Sequence, residues 1–305
     1  MNFFNSKNTP KLSIVIAFFN MRREAARTLF SLTTDYQTGI RKSDYEVIVL
    51  DSGSTEPLDS RQVCSIQSNF RYKFVRSKWP TPCEAMNTGI AMANANTVVC
   101  MIDGARILSP GVLSKMLIAK KSFKQPFIYT IGMHLGNQPQ GQAILNGYNQ
   151  KVEDNLLTTV DWKNDGYKLF DISCLAGSSE DGFLNPIAES NCFSLPRKKL
   201  LEIGGFDEKF ITAGGGLVNL DVFSKAIHLP DLTPVKLLGE ASFHQFHGGV
   251  ATNVTPDKHP WNDYAEEYKK LRGVEFKKPS PQNYNPFYLG QIHKNSRKFL
   301  DINNS

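Results

Sequence analysis

The feature that most restricts the fold is an almost unbroken apolar run at residues 12–19 (LSIVIAFF). Such a β-branched run is typical of a parallel strand that is buried on both faces. Residues 21–32 follow with the composition of a helix, and further strand-like runs lie at 45–50, 72–75 and 97–102. A helix is predicted at 82–93, with a proline in its first turn. Strands that alternate with helices predict an α/β fold with a mostly parallel, Rossmann-like sheet flanked by helices.

Polar residues stand where these predicted strands end. They are Asn20, Asp51, Arg76 and Asp103. Ligands of open α/β sheets bind beyond the carboxyl ends of the strands, so we expect these side chains to lie on one rim. A carboxylate after the second strand suits hydrogen bonds with a nucleobase, and one after the fourth suits a divalent cation that bridges a diphosphate.

The second half of the chain is less regular. Helices are predicted at 112–122, 197–203, 217–227 and 261–271, a strand at 126–134, and loops through most of 136–190. A long irregular stretch within a compact domain is usually functional. We expect one domain over 1–250, with a nucleotide-binding half at about 11–110 and an acceptor half at about 111–250. Residues 251–305 should form a helical and extended tail that packs on this core.

Composition narrows the class of protein. The 305 residues are 41% hydrophobic and carry a net charge of +6 without dense basic runs, which speaks against nucleic-acid binding. Five cysteines without a CxxC pair favour a reducing compartment. The first ten residues are polar and the apolar runs are short. We therefore expect a cytoplasmic protein that can sit peripherally at the membrane.

Two nucleotide-binding motifs are missing from the sequence. The first strand is not followed by G-x-G-x-x-G, and the chain has no G-x-x-x-x-G-K-[ST]. The sequence therefore lacks the main motif expected for dinucleotide redox chemistry and the one expected for P-loop phosphoryl transfer.

Several stretches resemble the family 2 glycosyltransferases of the GT-A fold. They are residues 12–20, 47–55 (VIVLDSGST), 84–94 (EAMNTGIAMAN), 101–113 (MIDGARILSPGVL), 191–210 (NCFSLPRKKLLEIGGFDEKF) and the glycine-rich 214–221. Each piece is weak alone, but their order and spacing cover about residues 11–250. The resemblance implies that residues 82–87 form the helix over the donor site and that 206–208 line the acceptor side. It places the donor nucleotide at Phe18, Asn20, Asp51, Arg76, Asn87 and Asp103.

The sequence departs from the family pattern at two points. Asp103 matches the first carboxylate of the D-x-D metal motif, but Ala105 stands in place of the second. The acidic pair that commonly follows the glycine run is replaced by Gly216 and Leu217. The candidates for the catalytic base are then Asp221, one helical turn along, or else Glu189 or Glu240.

A late histidine pair offers the missing metal ligands. His244 and His247 lie three residues apart in FHQFHGG, and some enzymes of this fold supply a late histidine to the donor metal. With Asp103 they would form a mixed nitrogen and oxygen site suited to Mn²⁺, with Mg²⁺ as the other cofactor expected. The alternative is a packed β-hairpin in which both imidazoles have protein partners.

These observations predict transfer of a sugar from a nucleoside diphosphate sugar to a hydroxyl of a glycan or lipid-linked glycan, with inversion implied by the resemblance. Surface polysaccharide or glycoconjugate synthesis is the expected setting. One alternative is a catalytically degenerate relative that binds nucleotide sugars. A lower-ranked alternative is a nucleotidyltransferase, although no loop rich in Gly, Lys and Arg follows the first strand to hold a triphosphate.

Overall fold

The computed structural model describes residues 9–279 and 285–300. Its first half alternates strands and helices. These are β1 (Leu12–Phe18), α1 (Arg22–Phe30), β2 (Tyr45–Asp51), α2 (Ser60–Ile66), β3 (Phe70–Phe74), α3 (Cys83–Met92) and β4 (Thr97–Met101). All four strands run parallel in the order β4-β1-β2-β3. The alternation predicted from the apolar runs is confirmed, with α2 as an additional helix.

The second half supplies shorter and more varied elements. They are β5 (Arg106–Leu108), α4 (Val112–Ser122), β6 (Pro126–Leu135), α5 (Gln140–Ala143), α6 (Gln150–Thr158), β7 (Ser173–Leu175), β8 (Phe193–Pro196), α7 (Arg197–Glu202), α8 (Val218–Ile227), β9 (Thr233–His244), α9 (Trp261–Arg272) and β10 (Phe287–Gly290). The stretch 136–190, predicted as mostly loop, therefore contains two α-helices, a strand and three short 3₁₀ helices.

The described strands form one mixed sheet in the order β10-β9-β6-β8-β4-β1-β2-β3, and β5 and β7 pair with β9 and β6. Pairing is antiparallel where β8 meets β4 and β6, and where β5 and β7 join the sheet. The other pairs are parallel. The predicted α/β class is confirmed, and the antiparallel pairs belong to the second half.

Hydrophobic cores cover both faces of this sheet. Along β1, Val15 faces the cluster that includes α3, while Ile14 and Ile16 face the cluster built with α1 and α4. This alternation follows from the two-residue period of a strand. Gly89 lets α3 pack closely against β1, because a Cβ at position 89 would lie only 2.4 Å from Cγ1 of Val15. All seven positions of β1 are buried, as the apolar run predicts.

Strand β9 escaped prediction although it pairs with three other strands and carries His244. Its sequence contains Pro234 and Gly239, which normally interrupt strands. Gly239 has a φ of +71°, and a Cβ there would lie 2.0 Å from the carbonyl oxygen of Gln291. The pairing with β6 also shifts register just before Ala241. The strand therefore continues through an irregularity that only the folded neighbours reveal.

The described part of the C-terminal tail contacts the core directly. Strand β10 extends the sheet beside β9, and the ring of Phe299 lies 6.1 Å from that of Phe170. Residues 280–284 and 301–305 of the predicted tail lie outside the described residues. Within the described ranges, none of the helices combines the length and the apolar character needed to cross a bilayer.

Candidate active site

A cleft of about 1230 Å³ opens at the carboxyl ends of β1 and β4. The first half of the chain lines it with Phe18, Asn20, Ser52, Asp103 and Arg106. Much of the remaining lining comes from the C-terminal segment. Its lining residues include Val250, Thr252, Val254, Asp257, His259, Trp261, Tyr264 and Phe276. The cleft is therefore assembled from chain regions far apart in sequence, at the rim where the strand ends predict a ligand.

The loop after β2 is organised by Asp51. Its side chain is fully buried. Oδ1 accepts a hydrogen bond from the backbone N–H of Ser54 at 3.0 Å, and Oδ2 accepts one from that of Leu58 at 2.9 Å. Asn20 holds the same loop from the other side, since its Oδ1 accepts from the backbone N–H of Thr55 at 2.9 Å. Asp51 therefore shapes the rim of the cleft, and its contact with a nucleobase stays a prediction.

Phe18 and Gly104 lie in direct contact at the cleft floor. A Cβ on Gly104 would approach Cδ1 of Phe18 to 2.3 Å, so the turn after β4 requires glycine there. The hydroxyl of Thr28 on α1 donates to the carbonyl oxygen of Gly104 at 2.7 Å. These contacts fix the turn that presents Asp103 to the cleft.

Like Asp51, the two remaining predicted donor residues lie outside the cleft lining. Asn87 on α3 donates to the carbonyl oxygen of Phe206 at 2.8 Å and to Oε1 of Glu208 at 2.9 Å. Its Oδ1 also accepts from the backbone N–H of Phe206. Asn87 thus ties α3 to the predicted acceptor segment 206–208. Arg76 is exposed beyond β3. A nucleotide contact by either residue remains a prediction.

Asp103, His244 and His247 lie close together, and Asp103 and His247 line the cleft while His244 is buried behind them. Their potential ligand atoms all lie within 4.8 Å of one another. Nε2 of His244 lies 3.1 Å from Oδ2 of Asp103, and Nε2 of His247 lies 3.9 Å from Oδ1. His244 ends β9 and is fully buried, whereas His247 follows in the loop and is partly exposed. The structure brings together the three residues that were predicted from the sequence as metal ligands.

The protonation state of His244 leaves one ring nitrogen free to bind a cation. Its Nδ1 lies 2.7 Å from Oε1 of Gln140, while Nε2 of Gln140 donates to the carbonyl oxygen of His244. This arrangement fixes the amide orientation, so Nδ1 of His244 must carry the proton. Nε2 then presents a lone pair towards the Asp103 carboxylate. Two acceptors face each other across 3.1 Å, and a cation between them satisfies both.

Burial and neighbouring charges favour a neutral His244 ring beside an ionised Asp103. Burial is the main cause that lowers the pKa of His244 to about 4, against a partial opposing effect of Asp103. Burial alone would raise the pKa of Asp103, but the charged and hydrogen-bonding groups around its carboxylate, Arg106 among them, hold it well below its usual range. At neutral pH the site therefore offers one carboxylate and the neutral His244 ring as ligands.

Two residues beside this site were missed by the sequence predictions. Arg106 is 4% exposed, and its Nε donates to Oδ2 of Asp103 at 3.2 Å. Its Nη1 is buried without a hydrogen-bond partner among the described residues. His134 on β6 is paired in register with His244, and Arg106 is paired with His244 from the other side. Both line the cleft. Their proximity to His244 follows from the pairing of β5 and β6 with β9, which must be known before either residue can be assigned to the site.

Glu189 lies in the cleft lining with Asn219 and Asn191. Nδ2 of Asn219 donates to Oε2 of Glu189 at 2.5 Å. Burial raises the pKa of Glu189, while hydrogen bonds from both asparagines and the charge of Arg106 oppose that rise. A carboxylate with a raised pKa in a cleft is suited to accept a proton from a substrate hydroxyl.

The other two candidate bases lie outside the cleft lining. Asp221 is 2% exposed, and Arg272 donates to both of its oxygens at 2.7 Å. Lys225 pairs with it as well. Glu240 is fully buried and accepts from Ser109, Gly111, Lys115 and Tyr167. These contacts occupy both carboxylates, so the geometry favours Glu189 over Asp221 and Glu240 as the base.

Two residues of the glycine run, Gly214 and Gly216, line the same cleft. Gly214, Gly215 and Gly216 have φ values of +79°, +89° and +53°, a region that other residues rarely adopt. Glu267 on α9 holds the preceding turn, since its Oε1 accepts from the backbone N–H groups of Ile211 and Thr212. The C-terminal helix thus positions the glycine run.

The sequence matches known proteins over part of its length. The profile described as glycosyl transferase family 2 matches residues 13–119. This region includes Phe18, Asn20, Asp51 and Asp103. A search of curated protein sequences found no significant match.

Solved structures share the fold. S. aureus TarS 1-349 in complex with UDP-GlcNAc superposes with a TM-score of 0.53 and 13% identity, covering 86% of this chain and 65% of that one. The mannosyltransferase PcManGT from Pyrobaculum calidifontis, in complex with GDP-Man and Mn²⁺, gives a TM-score of 0.51 and 15% identity, covering 88% and 66%. The chain thus spans just under two thirds of each of these proteins.

At such identities the structural likeness concerns the fold, which is that of GT-A glycosyltransferases. The profile match covers the strands and turns that form this rim of the cleft. Residues 13–119 thus match the glycosyl transferase family 2 profile, and the chain as a whole shares the fold of GT-A glycosyltransferases.

Proposed function

We propose that this protein transfers a sugar from a nucleoside diphosphate sugar to a hydroxyl of a glycan, with inversion at the anomeric carbon and with a bound divalent cation. The observation that carries the proposal is the convergence of Asp103, His244 and His247 on the cleft that also contains Glu189. A cation-binding cluster and a buried base in one cleft are what such a transfer needs.

Glu189 would act as the general base. It accepts the proton of the acceptor hydroxyl as that oxygen attacks the anomeric carbon on the face opposite the diphosphate. The bond from the anomeric carbon to the diphosphate oxygen breaks, and the nucleoside diphosphate leaves. Asn219 orients the Glu189 carboxylate for this step through its hydrogen bond. Attack on the opposite face produces the inversion.

Asp103, His244 and His247 would hold Mn²⁺ or Mg²⁺. When bound, the cation neutralises the negative charge of the leaving diphosphate. The two histidine nitrogens favour Mn²⁺ over Mg²⁺, which prefers oxygen ligands. The fold relative PcManGT in complex with GDP-Man and Mn²⁺ supports this assignment.

The donor nucleotide would bind at the rim shaped by Asp51 and Asn20, with Phe18 beneath it. Arg76 and Asn87 would act from the periphery, Asn87 by holding the segment 206–208. The TarS complex with UDP-GlcNAc supports a nucleotide-sugar donor. The acceptor would be a glycan or lipid-linked glycan in surface polysaccharide or glycoconjugate synthesis, used by an enzyme in the cytoplasm or at the inner membrane surface.

A donor screen tests the proposal. The melting temperature would be measured with UDP-, GDP-, CMP- and dTDP-sugars, each with and without Mn²⁺. One nucleotide class should raise the melting temperature by mass action, and more strongly with Mn²⁺. The Asp103→Ala variant should lose the Mn²⁺-dependent part of the shift. A Mn²⁺-dependent shift that Asp103→Ala leaves unchanged would contradict the cation site.

A second candidate function is nucleotide-sugar binding without transfer. It is favoured by Ala105 and by Leu217 at the position of the usual acidic pair. Turnover separates the two functions, because an enzyme releases nucleoside diphosphate from its donor whereas a binding protein does not. A nucleotidyltransferase would instead release pyrophosphate from a nucleoside triphosphate, which the same product analysis detects.

A further inference from the structure

We propose that Asn253 and Gln140 form one clamp that positions both histidines of the cation site. The inference rests on the proposed cation site and adds positioning residues to it. His244 ends a strand and His247 lies in a loop, so a separate device must hold their nitrogens at a common point. The hydrogen bonds of Asn253 and Gln140 connect the two.

Asn253 fixes the loop that carries His247. Its Oδ1 accepts hydrogen bonds from three successive backbone N–H groups, those of His247, Gly248 and Gly249, at 3.0, 3.0 and 3.1 Å. Gly248 has a φ of +83°, which allows the three N–H groups to converge. A Cβ on Gly249 would lie 2.8 Å from the His247 ring. The loop therefore has one tight conformation that depends on the Asn253 oxygen.

Gln140 fixes the ring of His244. The Gln140 side chain is fully buried, and it contacts both the ring and the backbone of that residue. Its Oε1 accepts from Nδ1 of His244 at 2.7 Å, and its Nε2 donates to the His244 carbonyl oxygen at 3.1 Å. The backbone N–H of Gln140 donates in turn to Nδ1 of His134 at 3.0 Å. Gln140 thereby sets both the orientation and the tautomer of the His244 ring.

The two supports are joined by one hydrogen bond. Nδ2 of Asn253 donates to Oε1 of Gln140 at 2.8 Å, the same oxygen that receives the proton of His244. Because the Oδ1 of Asn253 is occupied by the loop, its amide can face Gln140 only with the donor group. The loop of His247 and the tautomer of His244 are therefore set together.

The substitution Asn253→Asp separates the two halves of the clamp. It keeps an oxygen for the three loop N–H groups but replaces the donor that faces Gln140 with a second acceptor. Loss of such outer-sphere partners typically lowers metal affinity by about 10–100-fold. We expect a decrease in this range in Mn²⁺ affinity, measured by electron paramagnetic resonance with UDP and GDP each tested as the nucleotide.

A readout without metal makes the test specific. Long-range ¹H–¹⁵N spectra of the histidine rings in the metal-free protein should show His244 as the Nδ1–H tautomer in the wild type. In Asn253→Asp and in Gln140→Met, that tautomer should give way to a mixture. In the Mn²⁺ complex, nitrogen modulation from the histidine ligands should weaken in both variants.

Asn155→Asp is the matched control, since this exposed residue of α6 undergoes the same chemical change away from the clamp. Wild-type tautomer and Mn²⁺ affinity in folded Asn253→Asp and Gln140→Met would overturn the clamp while leaving the cation site in place. A wild-type protein that binds no Mn²⁺ with any nucleotide would overturn the cation site and, with it, the purpose of the clamp. Melting temperatures of the metal-free variants establish that they are folded.

Discussion

The carboxamide of Asn219 donates to Oε2 of Glu189 across 2.5 Å, and both side chains line the cleft. The partner of Glu189 is thus a neutral amide, whereas Asp221 pairs with two cations. This difference separates Glu189 from Asp221, two of the three candidate bases. A base must be free to contact the substrate hydroxyl, and the guanidinium of Arg272 occupies both oxygens of Asp221.

Replacing Glu189 by Gln should lower the rate of transfer by about 10²–10⁴-fold, because the acceptor hydroxyl loses its base. Donor binding should persist, as the substitution keeps the shape of the side chain. The raised pKa of Glu189 also predicts that kcat/KM of the wild type falls as pH drops through that pKa, because the base becomes protonated. Turnover by Glu189→Gln at the wild-type rate would remove this residue from the chemistry.

Replacing Asp221 by Ala should act on stability. Arg272 would lose its bidentate partner in a site where the carboxylate is 2% exposed, and breaking a buried pair costs about 3–5 kcal/mol. Denaturant unfolding measures the change, with Asp35→Ala as the control at an exposed acid. A stable Asp221→Ala protein without transfer activity would instead support Asp221 as the base.

Restoring the second acid of the D-x-D motif should fail. Ala105 is fully buried in the cluster that includes Phe18, Leu108 and Val112, and it does not line the cleft. Ala105→Asp would place a carboxylate in that apolar core, so we expect a lower free energy of unfolding and no gain in Mn²⁺ affinity. Tighter Mn²⁺ binding in this variant, measured by calorimetry, would mean that position 105 can reach the cation. Ala105→Ser tests the effect of a smaller polar group.

Lys236 should make stability depend on pH. Its Nζ donates to the carbonyl oxygens of Gly182 and Asn185, and burial lowers its pKa from 10.5 to about 7. Between pH 7 and 10.5 the unfolded chain therefore binds one more proton at this residue, so its contribution raises stability with pH by at most about 1.4 kcal/mol per unit. Below about pH 7 the folded and the unfolded chain both bind this proton, so Lys236 no longer makes stability depend on pH.

The variant Lys236→Met tests whether Lys236 causes this pH dependence of stability. The difference in unfolding free energy between the wild type and Lys236→Met should shift in favour of the wild type as pH rises from 7 to 9. Chemical denaturation at several pH values gives both curves, and parallel curves would assign the pH dependence to other groups.

The sequence predicted the parts of the site that depend on local pattern. Apolar runs end at Asp51 and Asp103, and the parallel sheet brings those ends to one rim. The pairing of Asp103 with His244 and His247 followed from ligand chemistry. The partner of Asp221 could not be foreseen, because Arg272 reaches it from a different helix. Arg106 and His134 escaped notice for a similar reason, since their proximity depends on β9 passing between them.

The two walls of the cleft come from separate stretches of chain. The first lies within residues 17–106, while the second lies within 247–278. Mutations that reshape the second wall leave the strands and turns of the first untouched. Under the proposed transferase function, the stretch around Trp261 is therefore the part of the cleft that an engineer can diversify without altering the strands and turns that carry Asp51 and Asp103.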